Sequence, residues 1–195
     1  MSVTTLPPPL RPAARDDGLF RPTDLDPIAW QILVHEGALR VVAPGVAMPV
    51  RRRPTPAHRA TALHGLLPRG WLLGGATAYW IHVGDAGPTA LALISPPGAH
   101  RPRNLPGRIL HQNVLPARDR TEIAGVPVTT PLRTAVDLAC FTEPVAALPR
   151  LLRLAAHGVD LQAALNRVAG LGRQRGVVRG DRTLREALRR LDQRE

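Results

Sequence analysis

The sequence predicts an α+β protein: a helix and hairpin at the front, a small mixed sheet with helices, and a helical C-terminus. Three observations carry that prediction. Short β-prone runs punctuated by Pro and Gly occur at 38–50, 89–94, 108–112 and 121–129. From Pro131 onward the apolar spacing becomes helical, over about 131–141, 145–157, 160–169 and 183–193. The chain of 195 residues is 44% hydrophobic but only 3% aromatic, so its core must be built from Leu, Val and Ala rather than large rings.

The elements follow in order. Residues 1–22 hold Pro7, Pro8, Pro9, Pro12 and Asp16-Asp17-Gly18 with little apolar content, and read as a disordered arm. Asp26-Pro27 is an N-cap acceptor followed by proline at the first helical position, where its missing N–H costs nothing. A helix of about ten residues should follow, with Ile28 and Ile32 facing inward and Trp30, Leu33 and Val34 as further inward candidates, and Gly37 supplies its left-handed stop. Residues 38–42 and 46–50 flank Ala43-Pro44-Gly45 and form a hairpin. Helix then hairpin is the back half of a winged helix-turn-helix, so 23–55 is a reduced winged-helix-like segment. Pro56–Leu67 and Gly75–Val83 are expected helices, and Pro127 requires the 121–129 strand to be interrupted or at an edge. Pro149 places the start of the 145–157 helix in question, because the helix can begin there instead. Residues 170–180, rich in Gly and Arg, read as a mobile linker, and Thr183-Leu184-Arg185-Glu186 as a capping box.

Charge and absences narrow the function. The net charge is +11, and every one of the 26 basic residues is arginine, in a chain with two serines. Such usage looks like the product of a very GC-rich genome, so part of the charge is codon bias. It still favours polyanionic partners. Without lysine there is no phosphate-loop GK[ST] and no Schiff base. Ser95 lies in Ile94-Ser95-Pro96-Pro97-Gly98, not in a G-x-S-x-G elbow, and no two histidines stand four apart. Cys140, the lone cysteine, sits in an apolar run as a buried inert thiol and excludes a disulfide framework. The sequence therefore predicts no enzyme, no cofactor and no metal. With no secretory signal and no membrane-spanning run, it also predicts a cytoplasmic protein.

Two constellations remain. Arg51-Arg52-Arg53 directly follows the hairpin, with Arg40 on it and Arg59 close behind, a cluster suited to phosphate contacts. The bland alternative is a solvated linker, since Pro54 and Pro56 come next. Around Thr130-Pro131, a strand end meets a helix start, and Arg133 and Asp137, four apart, share a helix face. We favour a strand-to-helix joint fixed by a cap and an ion pair over a direct partner contact. His64 and His82 read as satisfied interior or boundary histidines. Leu184, Leu188 and Leu191 form a stripe on the last helix that its own domain, a second copy or a different partner must cover, self-docking slightly ahead.

Three segments together resemble the AbiEi family of antitoxins and its actinobacterial relatives: Gly37–Val46 (GALRVVAPGV), Gly75–His82 (GATAYWIH) and Gly125–Ala139 (GVPVTTPLRTAVDLA). The resemblance covers about 25–165 and is most specific in the last segment, with Thr130, Pro131, Arg133 and Asp137. It implies a winged helix-turn-helix that represses its own operon, an antitoxin domain over 56–170, and a nucleotidyltransferase-like toxin as partner. Residues 171–195 would then be a basic linker and terminal helix. Similar domains also precede a Vsr-like endonuclease, and this chain stops where such a nuclease would begin. One departure stands out. The family's front module has two or three helices before the wing, and here only one, 27–36, precedes it.

These readings converge on a non-enzymatic antitoxin or transcriptional regulator that binds operator DNA and a toxin. Arg40, Arg51, Arg52, Arg53 and Arg59 would hold phosphates, with base reading left to the exposed side of helix 27–36. Leu184, Leu188 and Leu191 are the candidate partner-binding stripe. The alternatives are an interaction module without DNA binding, or the non-catalytic front half of a nuclease.

Overall fold

Asp26 does what its position requires. Its Oδ1 accepts hydrogen bonds from the N–H groups of Ile28 (2.9 Å) and Ala29 (3.3 Å), and Pro27 opens helix α1 (Pro27–His35). The computed structural model describes residues 17–99, 107–172 and 174–193. In α1 the buried stripe is Ala29 and Leu33, while Ile28 and Ile32 are 69% and 43% exposed. The expected inward face is thus corrected in part: Ile28 and Ile32 point outward, whereas Leu33, with half-buried Trp30 and Val34, all inward candidates, meets Phe20, Leu39 and Ala47. Gly37, at φ +70°, turns the chain out of the helix as expected.

Strands β1 (Leu39–Ala43) and β2 (Val46–Pro49) form the expected antiparallel hairpin, with a register shift between Val41 and Ala43. Phe20 adds to its edge by exchanging backbone hydrogen bonds with Ala47 at 2.8 and 2.9 Å. Order therefore begins earlier than the sequence predicts: Leu19 is fully buried and Phe20 nearly so, because this apolar pair completes the hairpin's two faces. Residues 1–16 of the expected arm lie outside the described residues. The hairpin is not an independent module. Phe20, Leu39 and Ala47 pack on α1, whereas Leu19, Val46 and Met48 join the core of the main sheet.

Helix α2 (Pro56–Leu63) is capped by Thr55, whose hydroxyl accepts from the His58 N–H at 3.3 Å, while His58 Nδ1 accepts from the Thr55 N–H at 3.1 Å. It ends in a 3-10 turn, His64–Leu66. A two-residue strand, β3 (Leu72–Leu73), too short to read from the sequence, leads into α3 (Gly75–Val83). Strands β4 (Leu91–Ser95), β5 (Arg108–Gln112), β6 (Arg120–Ile123) and β7 (Val126–Thr129) complete a five-stranded mixed sheet in the order β5-β4-β3-β7-β6. β5 runs parallel to β4 and β7 parallel to β3, and the other neighbours are antiparallel.

The expected 121–129 strand is interrupted, as Pro127 required, into the β6–β7 hairpin. β7 itself is internal, and its contact with β3 centres on Val128. Ala124 and Gly125 form its two-residue turn at φ +50° and +75°. A Cβ in the left-handed region costs roughly 1–2 kcal/mol, and asparagine adopts it more readily than alanine. Ala124→Asn should therefore raise stability by about 1 kcal/mol, visible as a melting temperature roughly 2–4 °C higher. An unchanged or lowered transition would contradict this account of the turn.

The C-terminal part is helical, as expected: α4 (Pro131–Phe141), α5 (Pro144–Ala156), α6 (Leu161–Ala169) and α7 (Val177–Asp192). α5 begins at Pro144, not Pro149. The break is tolerated because the carbonyl deprived of its donor belongs to Val145, on a flank where that residue is 88% exposed to water.

α7 begins six residues before the expected start, so the expected linker over 170–180 is already helical from Val177. Thr183 is inside the helix, its hydroxyl donating to the Arg179 carbonyl at 2.9 Å, and the expected capping box is absent. The reason is contact. A Cβ at Gly180 would lie 2.6 Å from Cys140 Sγ, so α7 crosses α4 at a distance only glycine permits. Leu138, Leu151, Leu154, Leu161, Val168 and Leu184 anchor this helical core, beside a second core over the sheet.

Candidate functional site

The basic cluster at the end of the hairpin survives in part. Arg40, Arg51, Arg52 and Arg53 are exposed on one end of the molecule, although Arg40 Nη2 also donates to the Val50 carbonyl at 3.3 Å. Arg59 is corrected out of this set. It is 6% exposed, with Nε and Nη2 donating to the Ile81 carbonyl (3.0 and 2.7 Å) and Nη1 to Pro54 (2.6 Å). A cation there satisfies the Ile81 carbonyl at the C-terminal end of α3, where the helix dipole favours it. Burial lowers its pKa. The exposed side of α1, expected to read bases, presents Ile28, Ile32 and Gln31, with the acidic Glu36 just beyond the helix. Gln31, Glu36 and the exposed His35 at the end of α1 can bond a base edge, whereas the two isoleucines offer only apolar contact.

The signature around Thr130 builds a buried charge cluster. The Thr130 hydroxyl caps α4 by accepting from the Arg133 N–H at 3.2 Å, and Pro131 occupies the first helical position. From the first turn, Arg133 Nε donates to Asp137 Oδ1 at 2.8 Å, as the spacing predicted. Its Nη1 reaches Asp119 Oδ2 at 3.2 Å, and Arg167 on α6 holds the other oxygen of Asp119. Asp119 and Arg167 were not singled out from the sequence: 48 positions separate them, and no local spacing joins them. Thr134 adds a hydroxyl pairing with Thr129 at 2.8 Å, and His82 Nε2 donates to the Thr129 carbonyl at 2.8 Å, tying α3 to this joint. Burial holds the His82 pKa down, so it is neutral at pH 7 and a satisfied boundary histidine. His64 is exposed.

Asp137 is less comfortable than its ion pair implies. Burial pushes its pKa up to about 6, with the nearby Asp119 carboxylate adding to the rise and Arg133 opposing it. Its second oxygen, Oδ2, is buried and has no hydrogen-bond partner among the described residues. Arg133 and Asp137 also line a cavity of about 360 Å³, together with His111, Phe141 and Arg175. Cys140 is 2% exposed, and burial pushes its thiol up to about 11, so it is the inert thiol expected. Among the described residues no group of three His, Cys, Asp or Glu could hold a metal, and no helix is long and apolar enough to cross a membrane.

The leucine stripe of α7 is corrected as a partner surface. Leu184 is fully buried, and Leu188 and Leu191 are half-buried against the same helical core. Its own domain covers it, the bland alternative the sequence ranked first.

A family model described as the AbiEi antitoxin C-terminal domain matches residues 59–186, about two thirds of the chain. The chain belongs to the AbiEi antitoxin family. The AbiEi match runs from α2 into α7, so it takes in the whole mixed sheet, the buried charge cluster and the crossing of α7 over α4. The chain is also similar to the crystal structure of the RV2827C protein from Mycobacterium tuberculosis, with 20% identity and a TM-score of 0.38. That similarity covers 88% of this chain and 77% of the other. Comparison with curated proteins gives no match.

Proposed function

We propose that this AbiEi-family chain is a non-enzymatic, cytoplasmic antitoxin that binds DNA at its own toxin-antitoxin operon through the basic end of its hairpin. Its toxin would be nucleotidyltransferase-like. The observation that carries the DNA reading is the exposed group of Arg40, Arg51, Arg52 and Arg53 beside the winged-helix-like segment 23–55. In a chain of net charge +11, such a group can neutralise several phosphates at once. The isoleucines on the open face of α1 argue that backbone contacts and shape, rather than base edges, dominate.

A gel shift with the chain's own upstream DNA tests this. Binding should occur at low salt, with only a modest preference over unrelated duplex of equal length. No shift at low salt would overturn the DNA reading. In that case the alternative is an interaction module, and the exposure of Ile28 and Ile32 favours it, because two exposed isoleucines on one helix face suit a protein partner. Co-expression with the toxin separates the two halves of the proposal. Growth rescued by a variant that no longer binds DNA would assign neutralisation to the domain over 59–186.

A further inference from the structure

The five-stranded sheet ends at β5, and no strand pairs with its outer edge among the described residues. At the other end β6 lies beside α2, whereas the main neighbour of β5 is β4. The Gly107 carbonyl accepts from the Leu91 N–H at 2.8 Å, and the Asn113 N–H donates to the Ser95 carbonyl at 3.3 Å. These bonds fix the phase of the ladder. Odd-numbered residues spend their backbone groups on β4, so the N–H and C=O groups of Arg108, Leu110 and Gln112 point away from it. Backbone groups on an open strand edge are a template for another strand.

An apolar groove runs along this edge. The cavity of about 360 Å³ continues past Phe141 into one of about 560 Å³, and His111, Phe141, Gln174 and Arg175 line both. β5 contributes Ile109 and His111 from one face of the sheet and Leu110 from the other, so the groove follows the strand edge rather than one face alone. Buried Ala92 and Ile94 floor it, and exposed Ile109, Phe141 and Val178 stand along it.

The chain segments that border the groove are of one sign. Residues 96–118 hold Arg101, Arg103, Arg108 and Arg118, and residues 170–180 hold Arg173, Arg175 and Arg179, with no Asp or Glu in either stretch. Arg179 is paired with Glu143 at 2.9 Å, and Asp137, the acid in the lining, is already bonded to Arg133. A second copy of the chain would bring the same arginines face to face, which is unfavourable at a net charge of +11. Nucleic acid suits the charge but not the aliphatic walls or the backbone edge. An acidic polypeptide matches all three. We propose that β5 is a docking strand for an extended, acidic segment of a partner protein, which adds to the sheet through Arg108, Leu110 and Gln112 and lays its apolar side chains in the groove. The partner is defined by chemistry alone, so failure of this assignment would leave the DNA and toxin readings in place.

The test is fluorescence anisotropy of a labelled peptide that alternates valine and glutamate, with aspartate at both ends, titrated with the full chain. It should bind one-to-one, and the same peptide with lysine at every acidic position should bind at least about tenfold more weakly. Gln112→Pro changes an exposed, uncharged side chain and deletes one outward N–H at a strand edge, where proline is tolerated. It should keep the parent's melting temperature and weaken the acidic peptide about tenfold. N-methylation of the peptide's backbone, which leaves the protein untouched, should weaken binding in the same way. Arg175→Glu should also weaken it, whereas Arg69→Glu, the same charge change at an exposed position outside the groove, should not. Absence of binding at millimolar concentration, equal binding of the acidic and lysine peptides, full binding of the N-methylated peptide, or equal losses in the two Arg→Glu proteins would each overturn the assignment. Displacement of the peptide by a single-stranded oligonucleotide of equal charge and concentration, or a dimer of the chain that the peptide dissociates, would also overturn it, in favour of nucleic acid or a second copy.

Discussion

Arg133→Ala should be among the most damaging single substitutions in this chain. It removes the cation shared by Asp137 and Asp119, both about 95% buried, and leaves Asp137 with no partner at either oxygen. Breaking a buried pair from one side costs about 3–5 kcal/mol, because the remaining charge stays desolvated. In a chain of this size that corresponds to a melting temperature lower by roughly 10 °C. The loss should depend on pH. In the parent, the Asp137 pKa is already raised from 3.8 to about 6, so the fold binds this proton more tightly than the unfolded chain does. The stabilisation from that proton is complete below pH 3.8 and is lost as pH rises through 6. Without Arg133 the folded pKa must climb further, so the deficit should be small near pH 4 and grow through pH 6 and above. Thermal melts of both proteins across that range check it. A deficit independent of pH would contradict the buried-cluster account.

Truncation after Leu171 should have the second large effect. It removes α7, whose Thr183, Leu184 and Ala187 are buried and whose Gly180 sits against Cys140. The exposed ends of α4, α5 and α6 would present a contiguous apolar surface, and the shortened protein should aggregate or lose its cooperative transition. Leu184→Ala isolates the same interface with a milder change and should cost about 2–5 kcal/mol. A truncated protein that melts at the parent's temperature would restore the partner-binding role that the docked helix argues against.

The parts of this fold that were legible in the sequence are those decided locally. Asp26-Pro27, Pro44-Gly45 and Thr130-Pro131 are caps and turns whose chemistry acts within four residues, and each lies where it was read. The Arg133–Asp137 bond followed from helical spacing alone. What the sequence concealed depends on the approach of distant segments. Arg59 looks like part of a basic run, but the Ile81 carbonyl at the end of α3, 22 positions away, turns it inward. Gly180 looks like a linker residue until Cys140 is set against it. Along α1, Ile28 and Ile32 fit an inward stripe as well as Trp30, Leu33 and Val34 do, and the choice between them was decided by Phe20 and the hairpin. Asp119 completes the charge cluster from a turn with no motif of its own.

The central functional claim is that the arginines after the hairpin hold phosphates. Its most direct test is the salt dependence of DNA affinity for the parent and for the variant with Arg51, Arg52 and Arg53 all replaced by alanine. These side chains are exposed, so the variant should melt as the parent does. Each phosphate contact contributes about 0.9 to the slope of log affinity against log salt, so the variant's slope should be shallower by up to about 2.7. Its affinity should fall evenly for upstream and unrelated DNA. A variant with the parent's slope and affinity would contradict the claim and place DNA binding, if present, elsewhere on the molecule.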